Sequence, residues 1–238
     1  MKLPRAVAIL LTITAVAAAC GGGGQSATTL PPEPEPVLTA SSAAMGSIDY
    51  VRFKIERSGA PVYIDPLETL NFSTAEGQFA GPSSANAVVT LAVGNLNAQI
   101  GAIAIDGKTW LTNPITGEWE DAPEGYDFDP TTLFDPDLGW RPLLASGLSN
   151  VEWVGEETRN DGPRYHIRAE ADQDRVAVIL AGLIRKQPVQ IDMWIEPTTG
   201  FVREAELSTV HEGQTSDWYI EFTEFGEPVD ISPPDIES

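Results

Sequence analysis

Apolar and polar side chains alternate along much of the chain from about residue 46. Val51, Phe53 and Ile55 alternate with charged residues, and the same period of two returns around Met193 and Ile220. This period is typical of a β-strand that buries one face. Such stretches predict about nine to eleven strands, near residues 70–72, 87–93, 96–105, 108–112, 151–154, 164–169, 189–195, 201–210 and 218–223. Because most of the connections have hairpin length, we expect a mainly antiparallel sheet.

Two helical segments interrupt the strands. Residues 172–184 place Val176, Ile179, Leu180 and Leu183 on one face of a helix. A weaker segment at 137–148 includes Leu144. Two helices cannot cover both faces of so large a sheet. The fold class is therefore α+β, with either one solvated face or a sheet that curls around the helices.

The segment 96–105 is apolar on both alternating faces. Ile103 and Ile105 stand among small residues such as Gly101 and Ala102. We expect a strand of this kind to be covered on both faces, with its small residues leaving room for a bulky group. Asp106-Gly107 then predicts a two-residue hairpin turn.

The N-terminus has the pattern of a targeting segment. A positive start, an apolar run at 6–16 and three alanines precede Cys20. The run is too short to span a bilayer, so it predicts a lipoprotein signal peptide over residues 1–19. Small residues directly before the only cysteine resemble a bacterial lipobox, which implies acylation of Cys20 and anchoring at the outer surface of the cell membrane. The alternative is an ordinary secretory signal with an incidental thiol.

The rest of the chain divides into three parts. Residues 20–40 begin with the lipidated cysteine and continue with glycines and then prolines, which predicts a tether that is first flexible and then extended. Residues 41–230 carry the strand pattern and form one domain. Residues 231–238 are a short C-terminal tail.

The charge balance narrows the choice of partners. The chain has 14 basic and 35 acidic residues, which gives a formal net charge of -21. Strong acidity repels phosphate backbones, so we expect no nucleic acid partner and weak attraction to anionic membranes. A single cysteine excludes a disulfide framework and a thiolate zinc cluster.

The residues that usually carry catalysis form no recognisable motif. Gly107-Lys108-Thr109 copies the end of a phosphate-binding loop, but Ala102 replaces its first glycine and a strand follows. His166 and His211 have no metal-ligand spacing, and His166 lies within a strand, where a hydrogen-bonded structural role is expected. We therefore expect no cofactor and no enzymatic activity. The acidic stretch 118–137 is interpreted as a solvated loop, with weak calcium binding as the alternative.

Three segments, taken in order, carry a family resemblance. They are Ile105–Leu111 with Gly117-Glu118-Trp119, Tyr165–Ala169, and Ile191–Gly200. Their spacing over residues 41–230 resembles the LppX/LprA/LprF/LprG family of envelope lipoproteins, which is related to the LolA-like carriers. The resemblance implies a single strongly curved antiparallel half-barrel closed over a few helices. It also implies an apolar cavity that holds lipid or glycolipid acyl chains for transport or export across the envelope, with a membrane transporter as a candidate partner.

The expected lipid-binding residues come from both the helices and the strands. They are Val51, Phe53, Ile103, Ile105, Leu144, Ile179, Leu180, Leu183, Met193 and Ile220. The alternative is that the same residues form a solid core, in which case the protein is an envelope scaffold or sensor that carries no lipid. In both cases we expect a monomer.

Overall fold

The computed structural model describes residues 33–64, 67–123, 129–159, 161–180, 182–184, 187 and 189–236. The predicted signal peptide, Cys20 and most of the predicted tether lie outside these residues. The strands are β1 Tyr50–Gly59, β2 Asn71–Ala80, β3 Ser84–Val93, β4 Leu96–Ile105, β5 Lys108–Thr112, β6 Trp119–Asp121, β7 Leu148–Arg159, β8 Gly162–Ala171, β9 Val189–Ile195, β10 Val202–His211 and β11 Gln214–Thr223. The helices are α1 Pro34–Met45, α2 Trp140–Ser146, α3 Gln173–Ile179 and a 3₁₀ helix at Pro130–Leu133.

All the strands belong to one curved antiparallel sheet in the order β6-β5-β4-β3-β2-β1-β11-β10-β9-β8-β7. Neighbours in the sheet are neighbours in the chain, except where β1 pairs with β11 and joins the two halves. The sheet does not close, because β6 and β7 remain its two edges. The predicted curved antiparallel sheet with a few helices is confirmed.

The hairpins place their turns at two opposite ends of the sheet. The turns after β1, β3, β5 and β10 lie at one end, which we call the upper rim. The turns after β2, β4, β7 and β9 lie at the other end, the lower rim. Asp106 and Gly107 both have positive φ angles, 50° and 78°, as a two-residue hairpin with a primed turn requires.

One face of the sheet, here called the inner face, is covered by the helices. Alternate residues of the strands point to this face and are buried together with the apolar sides of α1, α2, α3 and the 3₁₀ helix. Helix α1 packs on α2, and the 3₁₀ helix packs on β3 and β4. The opposite, outer face carries most of the charged pairs, including Lys54 with Glu56 and Arg168 with Asp192.

The N-terminal part of the structure differs from the sequence prediction. Residues 34–40 were expected to continue an extended tether, but they belong to helix α1. Pro34 fits there because the first turn of a helix needs no donor from its backbone nitrogen, and Glu35 is favourable in the same turn. Leu38 and Met45 are buried against the rest of the domain, which supplies the stability that a short helix lacks.

Helix α3 is shorter than predicted. It begins after Asp172, whose carboxylate accepts hydrogen bonds from the backbone N–H groups of Asp174 and Arg175. It ends at Ile179, so Leu183 lies beyond the helix although it continues the apolar spacing. The weaker helix expected within 137–148 is present as α2.

Strand β4 is not covered on both faces as the sequence predicted. Ala102 and Ala104 are buried on the inner face, whereas Asn97 and Gln99, which point to the outer face, are exposed. Ile103 and Ile105 are half-buried. The apolar residues of this strand therefore reflect two different environments, a buried inner face and a partly solvated outer face.

Candidate functional site

The inner face and its helices form one apolar cluster, which is the candidate functional site. Eight of the ten residues expected to bind lipid belong to this cluster or pack against it: Val51, Phe53, Leu144, Ile179, Leu180, Leu183, Met193 and Ile220. The strand residues lie in register across the sheet, since Ala205 of β10 pairs with Ile220 on one side and with Met193 on the other. The sheet side of the expected site is therefore a continuous surface.

The helices supply the opposite side of the cluster. Leu144 of α2 is 3% exposed, and Ile179 and Leu180 at the end of α3 are 3% and 2% exposed. Leu183 is half-buried beside them. The apolar stripe that the sequence placed on one helical face is thus directed at the sheet.

Ile103 and Ile105 lie elsewhere. Ile103 pairs with Asn86 and Trp110, and Ile105 pairs with Ser84 and Lys108, all on the outer face. Successive residues of a strand point to opposite faces, so the inner positions of β4 belong to its alanines. The structure does not bring these two isoleucines together with the other eight.

Sequence reasoning missed an aromatic wedge at the centre of the cluster. The Phe134 ring lies 4.8 Å from that of Phe79, 5.6 Å from Phe222 and 6.1 Å from Phe53, measured between centroids. Trp140 meets Phe222 edge-on at 5.4 Å. Phe134 was overlooked because it lies in the acidic stretch 118–137, which was interpreted as solvated. The adjacent apolar pair Leu133-Phe134 was the available signal.

Small residues on the inner face make room for this wedge. The inner positions of β2, β3 and β4 include Ala75, Gly77, Ala85, Ala87, Ala102 and Ala104. They form a shallow strip on which the 3₁₀ helix rests. Because alanine and glycine side chains are small, they leave space above the sheet, and the groups that pack on the strip must fill this space.

The outer face holds a polar network around His166. Its ring nitrogens Nδ1 and Nε2 lie 2.6 Å from Glu157 Oε1 and 2.6 Å from Asp192 Oδ1, and the ring stacks on Trp194 at 4.5 Å. The Trp194 indole donates a hydrogen bond to Glu157 Oε2, which with the His166 ring holds the pKa of Glu157 below its ordinary value. His166 is therefore hydrogen-bonded within strand β8, as the sequence predicted.

A groove of about 550 Å³ crosses the outer face. Its floor includes Gly77 and Gly101, and Trp119 of β6 lies over Gly101. Lys54 and Glu76 on its wall form a long ion pair of 3.8 Å. The groove is open and of mixed charge, so it suits a lipid chain less well than the inner cluster does.

Metal ligation has no support in the described residues. Among them, no group of three or more His, Cys, Asp or Glu side chains is placed to hold a metal ion. Residues 124–128 of the acidic stretch, for which weak calcium binding was the alternative, lie outside the described residues. Among the described helices, none is long and apolar enough to cross a membrane.

The fold and the cluster define a class of protein: a single-sheet half-barrel whose apolar inner face is covered by short helices. The family model of the LppX_LprAFG lipoproteins matches residues 33–231, so the chain belongs to this family. The family resemblance found in the sequence is thereby confirmed. None of the curated proteins compared with the chain matches it.

Two solved structures share the architecture. LprF from Mycobacterium bovis is 16% identical, with a TM-score of 0.63 over 86% of this chain and 98% of that one. The Mycobacterium tuberculosis lipoprotein LppX is 12% identical, with a TM-score of 0.57 over 84% of this chain and 98% of that one. At such identities the likeness is one of fold alone.

Proposed function

We propose that this lipoprotein binds the acyl chains of an envelope lipid or glycolipid between the inner face of its sheet and its helices. The observation that carries the proposal is the one-sided architecture: an apolar surface built by a single open sheet is covered by short helices rather than by a second sheet. Helices α2 and α3 have seven residues each. Such short elements take most of their stability from packing and can be displaced one at a time.

The chemistry of the cluster suits an acyl chain. The residues on both sides are aliphatic or aromatic, and each CH₂ group transferred to such surroundings contributes about 0.8 kcal/mol. An acyl chain that lies along the alanine strip would replace contacts that Phe134 and its neighbours make with the sheet. Ligand binding then exchanges one apolar packing for another and exposes little surface to water.

The cellular setting of the proposal comes from the N-terminus. Acylation of Cys20 would hold the protein at the outer surface of a bacterial cell membrane, and membership of a lipoprotein family supports this. A tethered protein that binds lipid is suited to transfer or export across the envelope. A membrane transporter would be a natural partner in that process.

The test is a comparison of lipid content between two tryptophan variants. Leu180→Trp adds bulk inside the cluster, whereas Val154→Trp adds at least as much bulk at a position that is 44% exposed on β7. Full chains purified from a bacterial host are extracted with organic solvent, and the lipids are identified by mass spectrometry. We expect lipid in the wild type and in Val154→Trp, and clearly less in Leu180→Trp. Wild-type protein without lipid would refute the proposal.

A second candidate function is an interaction module that carries no lipid. The tight aromatic packing around Phe134 favours it, because a filled inner cluster is also what a purely structural core looks like. In that case the same extraction finds no lipid in any variant. Leu180→Trp would then act only as overpacking, with a loss of about 1–3 kcal/mol of stability.

A further inference from the structure

Exposed apolar side chains are concentrated at the upper rim of the sheet. Of the large apolar residues that are more than a third exposed, seven lie in or beside its turns: Tyr63, Ile64, Leu67, Val93, Leu96, Ile115 and Val210. The most exposed are Ile115 at 91%, Leu67 at 82% and Leu96 at 73%. Each of these three lies in or beside a different hairpin turn, with Leu96 as the first residue of β4, so the apolar groups are separated from one another along the rim.

The lower rim has the opposite character. Its turns consist of Gly81-Pro82-Ser83, Asp106-Gly107, Asp161-Gly162 and Pro197-Thr198-Thr199-Gly200. None of these described turn residues is a large apolar one. Hairpin turns prefer small and polar residues, which the lower rim follows and the upper rim does not. The difference between the two rims therefore needs an explanation other than turn geometry.

We propose that the upper rim docks onto the surface of a lipid membrane, with Leu67, Leu96 and Ile115 inserted at the boundary between headgroups and acyl chains. The three turns are separated by two strands each, which places their tips about 10 Å apart in a row. A row of separate projections suits a fluid surface, which closes around each side chain, better than it suits a preformed protein pocket.

The local charge indicates the kind of lipid. The charged residues described in the turns after β1, β3, β5 and β10 are Glu68, Glu118 and Glu212. The β8–β9 connection at the same end of the sheet adds Asp172, Asp174 and Arg175, so acidic groups outnumber basic ones among the described residues. They would be repelled by anionic headgroups, so the rim is suited to zwitterionic or uncharged lipid. The proposed lipid anchor at Cys20 would keep the domain close to the membrane. The chain between Cys20 and helix α1 spans at most about 45 Å even when it is fully extended. The docking proposal does not depend on whether the inner cluster binds lipid.

The test is photo-crosslinking of the full chain to phosphatidylcholine vesicles that contain a diazirine-bearing phosphatidylcholine. Adducts are mapped by peptide mass spectrometry. We expect about tenfold more adduct on the peptides that hold Leu67, Leu96 and Ile115 than on the lower-rim turns. The triple variant Leu67→Ser, Leu96→Ser, Ile115→Ser should lose at least about tenfold of this yield, because it withdraws three apolar side chains and about two CH₂ groups already account for a tenfold loss. Replacing half of the lipid by phosphatidylglycerol should also lower it.

The control variant is Val88→Ser with Val154→Ser. These valines are 46% and 44% exposed but lie within strands β3 and β7, away from the turns. This double variant should give the same adduct yield as the wild type. Equal adducts at the two rims, no response to the triple variant, or an equal loss in the control would overturn the docking proposal. Lipid held in the inner cluster would label residues of that cluster, so failure of the lipid-carrier proposal would be seen separately.

Discussion

Replacing Phe134 by alanine tests whether the inner cluster is a solid core or a lipid site. Phe134 is 5% exposed, and its ring contacts three other phenylalanine rings. A buried Phe→Ala change costs about 3–5 kcal/mol, because contacts are lost and a cavity is left behind. In a domain of this size each kcal/mol lowers the melting temperature by about 2–4 °C, so we expect a fall of about 6–20 °C without lipid.

The two proposals for the cluster differ in what lipid does to this variant. If an acyl chain occupies the strip beneath Phe134, the cavity in Phe134→Ala accepts it more readily, and added lipid restores stability. At a hundred times the dissociation constant the restoration is about 2.7 kcal/mol. The assay is thermal unfolding followed by near-ultraviolet circular dichroism, with and without phospholipid or triacylglycerol. We expect lipid to raise the melting temperature of Phe134→Ala more than that of the wild type.

Phe225→Ala is the matched control. Phe225 is also a stacked aromatic residue, 4.2 Å from Phe201, but it is half-buried at the border of the cluster. Its removal should cost less stability and should create no response to lipid. If lipid changes the melting temperature of neither variant, or of both equally, the reasoning that places an acyl chain on the alanine strip is wrong.

Three further predictions follow from other parts of the molecule. Cys20→Ala should release the protein from the membrane fraction or leave an uncleaved precursor, and identical fractionation and migration to the wild type would contradict the lipobox. Gly77→Ala should destabilise the domain by about 1–3 kcal/mol in urea unfolding, because a Cβ there would lie 2.1 Å from a carbonyl oxygen of β3, whereas Gly155→Ala meets no atom within 4 Å and should change stability little. The lowered pKa of Glu157 contributes stability that is complete above its ordinary value of 4.5 and is lost as pH falls through the lower folded value. The melting temperature of Glu157→Gln should therefore fall less on acidification, and parallel curves for the two proteins would argue against this coupling.

The strand pattern could be predicted well from the sequence, because a period of two fixes both the strand and its buried face. Strands β5 and β9 have the bounds that the sequence pattern indicated, and so does β4, which was recognised from its apolar run. The hairpin at Asp106-Gly107 also followed from local chemistry, since few residues other than these tolerate a positive φ. Strands and tight turns could therefore be predicted where they depend mainly on residues that are close together in the sequence.

Helix ends and the centre of the site could not be predicted in this way. Helix α3 stops at Ile179 although the apolar spacing continues through Leu183, and α1 begins at Pro34 within a proline-rich stretch. Both outcomes depend on packing against distant elements. The same holds for Phe134, whose buried position depends on strands that are far away in sequence.

For strand β4, the sequence also did not predict which residues face the core. In β4 the sequence offers apolar side chains on both phases, so it does not say which set faces the helices. Ile103 and Ile105 were expected to line the site because they are large, but the alanines of β4 occupy the inner positions. The deciding information is the register with β3, which is not a local property.

The unclosed sheet has a consequence for how the protein behaves at high local concentration. An open edge offers free backbone groups to other chains and can start edge-to-edge aggregation. Here β6 is only three residues long and carries two acidic side chains, Glu120 and Asp121. The other edge, β7, is long but is interrupted by two register shifts, at Ser149/Glu152 and Trp153/Gly155. Short length, charge and irregularity are features that discourage strand addition, so the half-barrel can stay open without becoming a template for fibres.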